Sequence, residues 1–252
     1  MADNQLTNSA DALQTTPTKG SPAERKADQV YLRIRQEIEV GGLKPGQRIS
    51  ENWLVEHTGA SRTPVRDALR RLSADELVVL EPRQAPMVSP LSLSLIRDLF
   101  AFRRVVEVAA LEEIALRSQS DEVIRADFAA LQAEFRTLSE QPERGTFTAG
   151  FRTAASKFDE LVINHCENRF LERSIVGLRP HTTRLRQIAH TDHARLQQSV
   201  YEHIDMCEAT ALGDPRPAGS ACSQHLLHVE KSILTSLVTA NSPYARQVDL
   251  RD

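Results

Sequence analysis

Ser61-Arg62-Thr63-Pro64-Val65-Arg66-Asp67-Ala68-Leu69-Arg70-Arg71-Leu72 is the stretch that decides how this chain is read. Val65, Ala68, Leu69 and Leu72 stand at i, i+3, i+4 and i+7, so a helix over this run buries them as one stripe. Arg62, Arg66 and Arg70 stand at i, i+4 and i+8 and form a separate basic stripe, with Thr63 beside its first turn. Ser61 is a suitable N-cap. Just upstream, Ser50 caps a shorter helix through Trp53, Leu54 and His57, and Thr58-Gly59-Ala60 makes the turn between the two. Two short helices joined by a glycine turn form the helix-turn-helix pattern, whose second helix presents its N-terminal end to base edges. Guanidinium forks match guanine edges and phosphates, and free N–H groups at a helix start hold phosphate. A lone basic helix face is more often a solvated surface. Here the capped turn before it and the wing after it favour DNA.

Working outward, Ala27, Val30, Tyr31, Ile34 and Ile38 fall on one face of an earlier helix that stops at Gly41-Gly42. Downstream, Leu77-Val78-Val79-Leu80, then Glu81 to Pro86, then Met87-Val88 read as strand, turn, strand. That is a small wing, with Arg83 placed to touch the DNA backbone or minor groove.

With Leu43-Lys44-Pro45-Gly46 before it, the ungapped run from Ser61 to Leu72 resembles the reader domain of the GntR superfamily of regulators. The resemblance implies that Arg62 and Arg66 contact the operator, with Ser61 and Thr63 in support. Three positions depart from the family pattern. Asn52 stands where Arg or a similar side chain is frequent, which alters a contact from the preceding helix. Glu76 stands where glycine is usual, and keeping the left-handed conformation there costs roughly 1–2 kcal/mol. Ala85-Pro86 replaces a glycine-bearing wing motif and stiffens the tip. The expected DNA-binding set is Ser61, Arg62, Thr63, Arg66, Arg70, Arg83 and Asn52.

The whole chain carries a net charge of -3 over 252 residues, so attraction to DNA has to be local. Hydrophobic residues at 40% and charged ones at 26% are ordinary for a globular protein, and few aromatics argue against an all-β architecture. No apolar run approaches the roughly 20 residues of a membrane span. Residues 1–23 contain no apolar signal segment and read as a disordered tail. Cys166, Cys207 and Cys222 have no metal-finger spacing, and reduced thiols in the cytoplasm are the simplest reading.

Beyond a connector at Pro90 to Ser94, helical periodicity takes over. Leu95, Leu99, Phe102, Val106 and Ala109 mark one stripe; Ile124, Phe128, Leu131, Phe135 and Leu138 mark the next. Phe147, Phe151, Phe158 and Leu161 follow, then Phe170, Leu171, Ile175 and Leu178 in a helix ended or kinked by Pro180. Leu196, Val200, Ile204, Cys207 and Ala211 define a helix closed by Gly213-Asp214-Pro215, and Ala221, Cys222, Leu226, Val229 and Ile233 the last. The expected fold is mostly α. A winged helix-turn-helix domain (24–90) precedes an all-α antiparallel helical bundle (91–240) and a tail (241–252).

Polar residues on apolar stripes are the candidates for a site in the bundle. His203 lies between Val200 and Cys207, His225 between Cys222 and Val229, and Asp159 on the edge of the stripe from Phe151 and Ala155; His228 faces solvent with Gln224 and Lys231. Each histidine alone is more often a satisfied core residue, but the three groups together suit a metal or an anion. The segment Asp98 to Glu107, Tyr201-Glu202-His203 and Gln224-His225-Leu226 resemble the sensor domain of the FadR branch of the superfamily. That resemblance implies a divalent metal held by an Asp, a His four residues later, and two further His. The last two positions are His203 and His225, while the first pair aligns with Ala155 and Asp159. Asp159, His203 and His225 would form a three-ligand site for Zn, Ni, Mn or Fe, or the metal is lost and the pocket holds its effector by hydrogen bonds and charge. Arg103 is expected either to bind a carboxylate-bearing effector or to pair with Glu107 at i+4.

The function expected is a homodimeric, cytoplasmic, DNA-binding transcriptional regulator, a repressor of near-palindromic operators controlled by a small molecule. The alternatives are a metal-dependent enzyme using Asp159, His203 and His225, or an effector-independent DNA-binding protein.

Overall fold

The computed structural model describes residues 22–140, 144–189 and 192–239, together with the backbone of 248–249. Helix α1 (Pro22–Glu39) buries Ala27, Val30, Tyr31, Ile34 and Ile38, as its period dictates. It begins at Pro22, just inside the stretch read as tail; residues 1–21 lie outside the described residues. α2 (Glu51–Thr58) is capped by Ser50, whose Oγ accepts from Trp53 N at 3.1 Å, and ends on Gly59 at φ 64. α3 (Arg62–Ala74) buries Pro64, Val65, Ala68, Leu69 and Leu72 against α1 and α2. β1 (Val78–Val79) pairs antiparallel with β2 (Met87–Val88), and Arg48 bridges to Met87 to complete the wing.

α3 ends in a Schellman turn: Leu77 N–H bonds Leu72 O at 2.8 Å and Glu76 N–H bonds Ser73 O at 3.1 Å. The residue in the left-handed position is Glu76, at φ 57. The turn geometry is thus retained with a side chain where glycine would be unstrained.

β3 (Leu91–Ser92) leads into α4 (Leu93–Ser118), and pairs in parallel with β4 (Val248–Asp249), a pairing the sequence reading placed in a tail. α5 (Glu122–Ser139), α6 (Arg144–His165), α7 (Arg169–Ala189), α8 (His193–Leu212) and α9 (Pro215–Val238) complete the bundle. α4 packs chiefly on α9, and α5 on α8. At Gly219 of α9 an added Cβ would stand 2.3 Å from Glu112 Oε1 of α4, so the Glu112 side chain lies over the glycine and would have to move aside for a larger residue.

Two expectations are corrected here. The buried face of α4 runs through Ile96, Leu99, Phe100, Arg103 and Val106, and Phe102 is exposed. Of the expected 4-3-4-3 stripe Leu99 and Val106 are buried, while Leu95, Phe102 and Ala109 are not, because apolar residues surround α4 and blur its period. Of the end or kink expected at Pro180, the end does not occur, since α7 continues through it. Cys166, Cys207 and Cys222 are buried and unpaired, and burial pushes the thiols of Cys207 and Cys222 up. No helix among the described residues is long and apolar enough to cross a membrane.

Candidate functional site

The basic stripe of α3 is solvent-facing. Ser61, Arg62, Thr63, Arg66 and Arg70 are all exposed, opposite the buried Val65, Ala68, Leu69 and Leu72. Ser61 spends no side-chain hydrogen bond on capping the helix, which leaves its hydroxyl at the open N-terminal end. Arg66 Nε donates to Glu51 at 3.0 Å, Arg62 donates to Asn52 Oδ1 at 3.3 Å, and Arg70 donates to Asp67 at 2.7 Å. These contacts are at the surface, where ion pairs contribute about 0–1 kcal/mol, so a phosphate or guanine edge can displace them. Asn52 therefore acts on the same patch by orienting Arg62. Arg71 belongs elsewhere: it lies over the Tyr31 ring and pairs with Asp28, a structural contact that braces α1. Arg83 sits exposed at the wing tip at φ 63.

A second site lies inside the bundle. A cavity of about 40 Å³ is lined by Phe100, Arg103, Ala155, Thr182, Arg186, Arg195, Ser199, His203 and His225 among others, drawn from α4, α6, α7, α8 and α9. His203 is enclosed by the rings of Phe135, Phe151 and Phe158, and its ring meets that of His225 edge-on at 4.6 Å between centroids. Ser199 O can only accept, so the 2.6 Å contact assigns the proton to His203 Nδ1. His225 Nδ1 likewise donates to Glu202 at 2.7 Å. Burial drives the His203 imidazole well below its usual pKa, and burial also lowers His225 despite the opposing pull of Glu202. Glu202 is itself partly buried, which works against its charge. Hydrogen bonds from His225 and Arg195 outweigh that and hold its carboxyl at about 2. Arg195 meets Glu202 with both terminal amino groups, at 3.0 and 2.6 Å.

The structure brings His203 and His225 together but holds Asp159 away on Arg186, which donates to its carboxylate. Ala155, one helical turn before Asp159, offers only a methyl to the cavity. Among the described residues no three His, Cys, Asp or Glu side chains are grouped to hold a metal. Two imidazoles facing guanidinium groups do not make a divalent-metal site, so the residues present do not fit the ion that the resemblance implied. Arg103 forks onto Glu107 at 2.7 and 3.2 Å and also lines the cavity.

Sequence reading did not single out Arg186, Arg195 or Glu202. Arg195, Ser199 and His203 are spaced i, i+4, i+8, so the stripe that revealed His203 also carried Arg195. It missed as well a pair of contacts between the two halves: His181 Nε2 donates to Asp75 O at 2.9 Å, and Arg184 donates to Ser89 O at 2.7 Å. Burial lowers Arg184 to about 10.

The model of the family of bacterial regulatory proteins called gntR matches residues 26–88, and the FCD domain model matches residues 98–228. The chain belongs to the GntR family. As a GntR-family transcriptional regulator with an FCD domain it joins a DNA-binding module to a ligand-binding module. It is similar to the HTH-type transcriptional regulator YdhC of Bacillus subtilis, 25% identical over 199 residues, covering 79% of this chain and 85% of that one. It is also similar to the HTH-type transcriptional repressor RspR of Escherichia coli, 20% identical over 87% of this chain and 93% of that one. Among solved structures, E. coli McbR/YncC shares the fold with a TM-score of 0.65 and 20% identity, over 83% of this chain and 97% of the other. A GntR regulator from Rhodococcus sp. RHA1 shares it at 0.66 and 22% identity, over 84% and 98%.

Proposed function

We propose that this GntR-family regulator binds a near-palindromic operator as a cytoplasmic homodimer, and that a small carboxylate-bearing effector in the bundle cavity controls its affinity. Two copies would place two α3 helices in successive major grooves, with Ser61, Arg62, Thr63 and Arg66 at the base edges, Asn52 and Arg70 on the flanks and Arg83 on the backbone. The exposure of this ridge, opposite a packed one, supports that placement. Repression relieved by the effector is the favoured sign, in keeping with the name of RspR.

One observation carries the ligand-gated part. α7 lines the cavity with Thr182, Leu185, Arg186 and Ala189, and with a second face it donates to the reader's backbone through His181 and Arg184. The accepting carbonyls, Asp75 and Ser89, lie at the end of α3 and just after β2. A ligand that favours one position of α7 therefore favours one placement of the reader, and operator affinity shifts by that difference in free energy.

The reader assignment is tested by selecting a binding sequence from random DNA with the full-length protein, then measuring anisotropy across a salt series. Arg62→Ala and Arg66→Ala should each weaken the selected site about tenfold or more, for the loss of roughly 1–3 kcal/mol per base contact. Circular dichroism should be unchanged. Unaltered affinity in both variants would refute the assignment.

A further inference from the structure

We infer that the cavity takes a small hydroxy acid directly, its carboxylate on guanidinium groups and its hydroxyl on a histidine, with no metal ion between them. This rests on the reading of the cavity as the effector site. Among the described residues the ionisable side chains that line it are Arg103, Arg186, Arg195, His203 and His225, with no carboxylate. Arg195 is 6% exposed and spends both terminal amino groups on Glu202, yet its Nε–H is buried with no partner. That atom is out of reach of a water-sized group, so it is the guanidinium and imidazole faces lining the void that favour an anionic occupant. Arg186 adds further N–H groups beside the one given to Asp159.

The histidines refine the ligand. Each neutral ring has committed Nδ1–H, His203 to Ser199 O and His225 to Glu202, so each Nε2 offers a lone pair. A lone pair repels a carboxylate and wants a donor. Surrounding guanidiniums disfavour an ammonium as that donor, which leaves a hydroxyl. The complement of the cavity is thus an acid bearing an O–H close to its carboxylate. A volume of about 40 Å³ corresponds to a few water positions, room for such a head group with little to spare. Asp159 and Ala155 explain why a metal is not needed: Arg186 takes the carboxylate, and the cation facing the ligand is a guanidinium.

The test uses the full-length protein as purified, without chelator. Metal content is measured by mass spectrometry, and thermal shift is followed with malate, lactate, succinate, propionate and sodium chloride at matched ionic strength. Less than 0.1 metal per chain is expected. Malate or lactate should stabilise saturably at concentrations at least tenfold below their counterparts lacking the hydroxyl, with EDTA making no difference. Arg186→Gln should weaken that response at least tenfold. Arg186→Gln with Asp159→Asn, which removes the unpaired carboxylate as well, should do the same with the fold intact. Stoichiometric metal, a response abolished by EDTA, or no preference for the hydroxy acids would each overturn the inference. If the hydroxy acids fail while the selected operator still responds to another small molecule, this inference falls and the proposed function stands.

Discussion

Arg184 offers the sharpest test of how the two halves communicate. Its side chain is buried, its terminal amino group reaches Ser89 O at 2.7 Å, and its Nε finds no partner. Lowering the guanidinium pKa from the usual arginine range to about 10 corresponds to a desolvation cost of about 3 kcal/mol at neutral pH. A charge-assisted hydrogen bond to a carbonyl returns about 1.5–3 kcal/mol, so the two nearly cancel. Arg184→Met keeps the length, removes the buried charge and leaves one carbonyl short of a donor. Its unfolding free energy in urea should stay within about 2 kcal/mol of the parent, because removing the desolvation cost offsets the lost bond. Because both native and unfolded states keep this group protonated below pH 10, that comparison should not vary across the neutral range. Operator affinity without effector should be little altered, since Arg184 is remote from the α3 ridge. The effector response should collapse, from the ordinary allosteric range of about 5–150-fold to less than about twofold. Anisotropy on the selected operator, with and without the acid that stabilises the parent, reads this directly. A full response in Arg184→Met would refute transmission through α7.

Three further outcomes follow from the same coordinates. Glu76→Gly relieves a left-handed side chain and should stabilise the reader by about 1 kcal/mol, the strain of roughly 1–2 less the entropic cost of glycine, seen as a higher urea midpoint with unchanged DNA affinity. His203 and His225 have lowered pKa values in the fold, so the unfolded chain binds more protons below about pH 6.5 and stability should fall as pH drops from there. His203→Gln should remove about one proton from that dependence, measurable as a shallower slope of unfolding free energy between pH 6.5 and 5. Finally, Ala155→Asp with Asp159→His sets an acid and an imidazole one turn apart on α6; nickel titration should show a site absent from the parent, lost again on adding His225→Ala.

Much of this architecture was legible because burial writes a period into the sequence. The stripes of α1, α3 and α5 are buried residue for residue, since each helix has one packed face and a clearly polar remainder. α4 defeated the same reading because it is apolar on several sides, and the period does not say which apolar residue wins. Glu76 was legible only through the family resemblance, which implies glycine at that position, and the left-handed conformation is kept there. The cavity was half legible. His203 and His225 were found on apolar stripes, but the capture of Asp159 by Arg186 depends on two helices meeting, 27 residues apart in sequence. The pairing of Arg103 with Glu107 was legible as an i+4 contact, and the same side chain also lines the cavity. His181 and Arg184 escaped notice because a basic helix face looks the same whether it meets water or another domain.

α7 places Thr182, Leu185 and Arg186 among the residues that shape the cavity, interleaved with the two that grip the reader. On the proposed reading, recognition and output share one short peptide and would not drift independently there. Lineages that acquire a new inducer should change side chains on α8 and α9, at Leu196, Ser199, Val229 or Ile233, and leave this stretch alone. A directed-evolution campaign confined to α7 would yield constitutive or inert switches far more often than retargeted ones.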